Sequence, residues 1–216
     1  MRHLFAELRI SLVATAFLAV ILCGAYPMTV WCLARAIFPG RADGSLIAHD
    51  GEIAGSRLIG RQFTDPKYFH PRPSAAGSGY DAVHSGGSNL GPLSKELSAT
   101  IAQRTAAYRA ENELAPDALV PGDAVNASAS GLDPHISVRN ALIQAHRVAK
   151  ARGLAEKAIL EQVTEHTQGR DLKIFGEPRV NVLMLNRELD VTPSSLKSQA
   201  AQTESGPNAR GAGSRD

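Results

Sequence analysis

Beyond Arg35 this chain has no cysteine, no long apolar run and no block of like charge. Each absence removes a class of protein. Both cysteines, Cys23 and Cys32, lie upstream, so the remainder holds neither a disulfide framework nor a thiolate metal site. The seven histidines, at 3, 49, 70, 84, 135, 146 and 166, are never three or four residues apart, so no helix face offers a metal a histidine pair. Basic and acidic residues number 23 and 21, for a formal charge of +2, and they are scattered. Nucleic acid finds no patch to grip. Gly55 and Gly60 have the spacing of a phosphate loop, but Arg61 and Gln62 stand where Lys and Ser/Thr would hold phosphate and magnesium. The turn Gly86-Gly87-Ser88-Asn89 presents backbone amides to an anion, although a plain turn is the simpler reading.

What the chain does have is one uncharged stretch of 25 residues, 10–34, between Arg9 and Arg35. As a helix it spans ~37 Å, enough to cross a hydrocarbon core of ~30 Å. A cleaved signal peptide has a shorter apolar region of about 7–15 residues, although Ala34 and Ala36 have the spacing of a cleavage site. A lipoprotein anchor at Cys23 is disfavoured by bulky Leu22. The reading is a membrane helix (residues 1–38 with its flanks), followed by a soluble domain of residues 39–190 and a disordered tail over 191–216. Gly24, Tyr26 and Pro27 lie within the span. Pro27 predicts a kink, and Gly24 is suited to close helix packing. Arg2 and Arg9 before it are matched by Arg35 and Arg41 after it, so flanking charge does not set the orientation.

The soluble part reads as one small α+β domain. Residues 43–63 carry short alternating segments and an Asp50-Gly51 turn, predicting strands or a hairpin. Residues 64–92 are rich in Gly, Pro, Ser and His and predict a long ordered loop whose Tyr68, Phe69 and Tyr80 face a partner. Residues 93–112 predict a helix on the stripe Leu93, Leu97, Ile101 and Tyr108, with Pro92 at its entrance. A short strand is expected at 118–120. A second helix runs from Ser137 as N-cap to Gly153 as stop, burying Val138, Leu142, Ala145 and Ala149. A third covers 154–166 with Ile159 and Val163 inward, and a strand is expected at 180–185.

Ser130, Asp133 and His135 collect the residue types of a hydrolytic triad within six positions. Triads converge in space rather than in sequence, and no Gly-x-Ser-x-Gly elbow accompanies them. The structural reading is a turn at Ser130-Gly131 and a lead-in to the next helix at Asp133-Pro134. A stand-alone membrane-anchored hydrolase or binding protein using Ser130, Asp133 and His135 is therefore the alternative to an accessory role.

Several segments, taken together in their order, carry a resemblance. They are Gly24-Ala-Tyr26-Pro27, Phe38-Pro39, Gly44-Ser-Leu-Ile47, Gly55-Ser-x-Leu-Ile-Gly60 with Phe63, and Tyr68-Phe-His-x-Arg72-Pro-Ser74. In the same order come Ser85-Gly-Gly-Ser-Asn-Leu90, Ser128-Ala-Ser-Gly-Leu-Asp133, Gln144-x-x-Arg147 through Arg152, and Val180-Asn-Val-x-x-Leu185-Asn with Asp190. This pattern resembles one family, the C subunit (KdpC) of the Kdp potassium-transporting P-type ATPase, and the resemblance implies a non-catalytic subunit of a bacterial inner-membrane complex. Its partners are a channel-like A subunit, a P-type ATPase B subunit that hydrolyses ATP, and a small F subunit. It implies a single span with the N-terminus cytoplasmic and the main domain extracytoplasmic, no metal and no firmly held cofactor. It also implies a catalytic chaperone that raises the ATPase subunit's affinity for ATP in a transient complex, with Gln144 in the motif associated with nucleotide. The surface expected to meet partners is Tyr68, Phe69, His70, Arg72, Gly86, Gly87, Ser88 and Asn89, with Gly24, Tyr26 and Pro27 packing in the membrane.

Overall fold

The uncharged stretch forms what its composition dictates. In the computed structural model, which describes residues 2–49 and 51–191, α1 (Arg2–Ala19) runs through a π-wound segment, Val20–Ala25, into α2 (Tyr26–Ile37). The span His3–Ile37 is one helix of 35 residues whose most apolar window has mean hydropathy 2.2 and no buried residue. The irregularity expected at Pro27 is taken up just before it. Tyr26 N–H reaches back five residues to the Ile21 carbonyl, and Pro27 sits in the first turn of α2, where a missing N–H costs least. At the far end Arg35 lies 5.3 Å from the Trp31 ring and 3.3 Å from Asp43, and Arg41 lies 5.9 Å from the Phe38 ring. Such aromatic and cationic pairs suit the boundary between acyl chains and headgroups. A short α3 (Pro39–Ala42) leads into the expected hairpin, β1 (Leu46–His49) against β2 (Glu52–Ser56), with a bulge between Ile47 and Ala48. Asp50 of the expected turn lies outside the described residues, as does the expected tail from residue 192.

The chain divides into two units, Met1–Ser56 and Arg57–Asp216. The second begins with residues 57–94, which form no helix or strand. Then come α4 (Lys95–Glu111), α5 (Gly122–Val125), β3 (His135–Ser137), α6 (Val138–Arg152), α7 (Glu156–Glu165), β4 (Thr167–Gln168), β5 (Arg179–Asn181) and α8 (Val182–Val191). The strands form one antiparallel sheet in the order β3-β5-β4. Its core gathers Ile136 and Val180 from the sheet with Ala145 and Val148 of α6, Ile159 and Val163 of α7, and Leu185 and Leu189 of α8. The fold class is thus the expected one: an apolar N-terminal helix and a mixed α and β domain.

Local signals place the helix ends well. Ser137 Oγ accepts from Asn140 N–H at 3.2 Å, and Gly153 closes α6 at φ 63°. Ser94 Oγ caps α4 by accepting from Leu97 N–H, so Leu93 and Pro92 stand outside the helix rather than in it. Of the predicted stripe on α4, Tyr108 alone is buried. Residues 118–120 form no strand; α5 follows them instead. The apolar run 180–185 is strand only through Asn181. There the side-chain Oδ1 accepts from Met184 N–H at 3.1 Å, turning the chain into α8. On α6, Ala145 and Ala149 face inward as expected, but Leu142 is exposed and the buried face also carries Asn140, Gln144 and Arg147.

Candidate functional site

Those three polar residues of α6 organise the site. Buried amides and guanidinium groups are costly without partners, and here the side chains of Asn140, Gln144 and Arg147 all find them. Gln144 Oε1 accepts from His70 N–H at 2.7 Å, and Gln144 Nε2 donates to the His70 carbonyl at 3.0 Å and to Asn140 Oδ1 at 2.8 Å. One residue earlier, Asn186 of α8 does the same: Oδ1 accepts from Phe69 N–H at 2.8 Å and Nδ2 donates to the Phe69 carbonyl at 2.9 Å. Two side-chain amides thus act as stand-in strand neighbours for consecutive loop residues. Arg147 completes the grip. Its Nη1 donates to the carbonyls of Pro66 and Tyr68, its Nη2 to Gln144 Oε1, and its Nε to Asn112 Oδ1. Burial lowers the pKa of the guanidinium, against the opposing pull of Glu111.

The grip explains why the long loop is ordered. Phe69 has no exposed surface. The expectation that it meets a partner is therefore corrected: its ring anchors the loop in the core. Gln144 is likewise not on the surface, being 1% exposed, with its amide already committed on both ends. Tyr68 OH donates to Asp190 Oδ2 at 2.9 Å, and Arg152 lies over its ring while donating to Lys67 O, Leu189 O and Asp190. His70 Nδ1 meets Glu111 Oε1 at 2.6 Å, and Nε2 faces the Asp65 carbonyl at 3.1 Å. The hydrogen bond from His70 holds the Glu111 carboxyl below its ordinary value, with Arg147 assisting and burial opposing.

A second cluster lies where the loop crosses the turn before β3. Asp133 accepts from Arg72 at 3.1 Å, from His135 N–H at 3.0 Å, and lies 3.2 Å from His135 Nδ1. Burial works to raise the Asp133 carboxyl, but His135 and Arg72 outweigh it and the net shift is downward. Ser130, in contrast, is turned to its own loop: its Oγ accepts from Leu132 N–H at 3.2 Å. Among the described residues no hydrogen bond joins Ser130 to His135, so the structure brings together two members of the suggested triad and spends the third on a turn. Gly131 lets that turn pack. At φ +66°, a Cβ there would lie 2.6 Å from both Ala76 N and Gly86 O. Gly86 N–H and Ser85 Oγ both donate to Ser130 O at 2.9 Å. Gly86 and Gly87 are therefore half-buried against this turn, while Ser88 and Asn89 are exposed. Gly24 has open space around it and Tyr26 is exposed on the apolar helix.

What sequence reasoning missed is the amide brackets. Asn186 follows a run expected to be strand and Asn140 lies in the α6 pattern, with nothing in either to separate it from surface polar residues. Their faces give them away only once Ala141, Ala145 and Leu185 are read as neighbours in one core.

Comparison with known proteins returns one answer. Residues 8–191 match the family model described as KdpC: K+-transporting ATPase, c chain. The chain is similar to the potassium-transporting ATPase KdpC subunit of Nitratidesulfovibrio vulgaris, at 55% identity over 185 residues, covering 84% of this chain and 92% of the relative. It is 50% identical over 197 residues to the subunit of the same name from Caulobacter vibrioides, covering 91% and 98%. The corresponding figures for the Mycobacterium tuberculosis relative are 49% over 189 residues, 88% and 98%.

Proposed function

The chain belongs to the KdpC family, the c chain of K+-transporting ATPases, and on that premise we propose that it is a non-catalytic accessory subunit of an ATP-driven potassium uptake system. It is held in the bacterial inner membrane by the helix His3–Ile37, with its N-terminus cytoplasmic and the domain of residues 39–190 outside the cytoplasm. The matched region begins at residue 8 and includes the uncharged stretch 10–34 of the apolar helix, which supports a retained anchor over a cleaved leader. Its partners are a channel-like A subunit, a P-type ATPase B subunit that carries the catalytic residues, and a small F subunit.

The observation that carries this reading is how the polar side chains are used. Gln144, Asn186, Arg147, Arg152 and Asp133 hold the chain's own loop. Such a domain is built to present a fixed surface. Ser88, Asn89 and the exposed edges of His70 and Arg72 are the contact residues on this reading. The chaperone role follows in the same terms. The subunit raises the ATPase chain's affinity for ATP by stabilising its nucleotide-binding conformation through subunit contact, and Gln144 acts by keeping the contacting loop in place rather than by bonding nucleotide.

The test is co-purification. Tagged protein from potassium-starved cells, extracted in mild detergent, is expected to bring down a P-type ATPase and a channel-like subunit. Potassium-stimulated ATP hydrolysis should fall when this chain is deleted, with a raised KM for ATP. Recovery of the chain alone, from cells whose deletion strain still grows on trace potassium, would overturn the reading. The alternative hydrolase has its own signature, labelling of Ser130 by a serine-directed probe.

A further inference from the structure

The hairpin between β4 and β5 carries three apolar side chains into solvent: Leu172 at 83%, Ile174 at 71% and Phe175 at 64% exposure. A connection of this length has no need of them, because turn residues are ordinarily small or polar. Nor is the loop loose. Asp171 N–H donates to the Phe175 carbonyl at 2.8 Å and Phe175 N–H returns the bond at 2.9 Å, while Ile174 N–H also donates to Asp171 O and Lys173 N–H to Arg170 O. Ion pairs flank it, Arg170 with Glu177 at 2.9 Å and Arg179 with Asp171 at 3.4 Å. Leu172 and Lys173 hold φ of 52° and 65°, a left-handed conformation that side-chain-bearing residues adopt only when their surroundings impose it. Retained strain of this kind marks a place where shape matters more than local comfort.

Charge completes the description. Arg170, Asp171, Glu177 and Arg179 neutralise one another in pairs. Among the described residues no ion pair engages Lys173, which stands between Leu172 and Ile174. The tip is therefore an apolar knob bearing one uncompensated positive charge.

Resting on the accessory-subunit reading, we infer that Leu172, Ile174 and Phe175 form a preformed docking knob that inserts into an apolar, acid-rimmed pocket on another subunit of the potassium-transporting ATPase. A bilayer is the competing occupant. A fluid bilayer accepts any apolar tip and gains nothing from a fixed one. A protein pocket does gain, because a knob already in its bound shape loses less freedom on docking. Rigidity and strain thus favour the protein. Lys173 sets the sign of the rim, and the three apolar chains supply the buried anchor that such interfaces concentrate their energy in.

The experiment places a benzophenone amino acid at position 175 of the full-length chain, expressed with the other subunits, and irradiates intact membranes. The expected result is a covalent adduct with a second ATPase subunit. The adduct should fall on the order of tenfold in a Lys173→Glu background, since a charge reversal against an acidic rim strikes a central contact. A Leu172→Ser, Ile174→Ser, Phe175→Ser variant should lose complex recovery to a similar degree. Its unfolding temperature should match that of the unsubstituted chain, which separates lost docking from lost fold. Adducts with lipid alone, or no adduct while the complex co-purifies intact, would overturn the inference and leave the accessory reading standing. Failure of the unsubstituted chain to co-purify with any ATPase subunit would overturn both.

Discussion

Two irregular stretches of the second unit carry a phenylalanine, and the chain treats them in opposite ways. Around Phe69, the loop backbone is bonded by side chains that come from elsewhere: Gln144 and Arg147 from α6, and Asn186 from α8. The ring is sealed inside. Around Phe175, the backbone is bonded to itself and the ring stands in water. Both are well specified, yet only the first is specified by the core. A loop gripped from outside is part of the scaffold. A loop that fixes its own shape and then exposes apolar surface keeps that shape for a partner.

Four substitutions would break or sharpen this contrast. The largest effect is expected from Phe69→Ala, which empties a sealed site and should cost about 3–5 kcal/mol in unfolding of the detergent-solubilised chain. A loss under ~1 kcal/mol would mean that the loop is held by its hydrogen bonds alone. Gln144→Ala comes next. It leaves His70 N–H and the Arg147 guanidinium short of an acceptor, and about 2–3 kcal/mol of stability should go with them. The loss should appear without nucleotide. An unfolding temperature that moves only when ATP is present would return Gln144 to a ligand contact.

The third concerns pH. Glu111 is ionised more readily in the folded chain than in the unfolded one, because His70 bonds to its charged form. Its contribution is therefore complete above the ordinary carboxylate range and disappears as pH falls through the lowered folded value. Glu111→Gln should remove less than about 1 kcal/mol at neutral pH, since the pair is partly exposed and screened, and should flatten the acid limb of the stability profile. An acid limb as steep as before would assign it to other carboxylates, with Asp133 the first to test. Last, Phe175→Ala should leave stability within about 0.5 kcal/mol, measured by the same thermal unfolding. A loss comparable with that of Phe69→Ala would erase the distinction between the two loops.

How far the sequence could be read depended on the range of each signal. The membrane helix, the Ser137 and Gly153 ends of α6 and the inward Ile159 and Val163 of α7 are written in neighbouring residues. The run 180–185 was misleading because five apolar residues satisfy either periodicity, and Asn181, whose side chain caps the start of α8, sits among them. An ordered long loop was legible over residues 64–92, although residues 57–63, expected within the strands or hairpin, join it as well. Its cause was not, because the bonds to Gln144 and Asn186 join residues 74 and 117 positions apart. Family segments pointed to the right relatives without showing that several of their polar residues work inward.

The bracket at Phe69 also has a clock in it. Its amide partner Asn186 is made 117 residues later, and at about 5–20 residues per second that interval is roughly 6–23 s of synthesis. Until α8 is made the Phe69 N–H and carbonyl lack their amide partner, while the neighbouring groups of Pro66, Tyr68 and His70 can already be taken by Arg147 and Gln144 of α6. The grip on this loop is therefore completed only when α8 arrives, and a chain interrupted before it holds the loop from α6 alone, with the Phe69 backbone left to water.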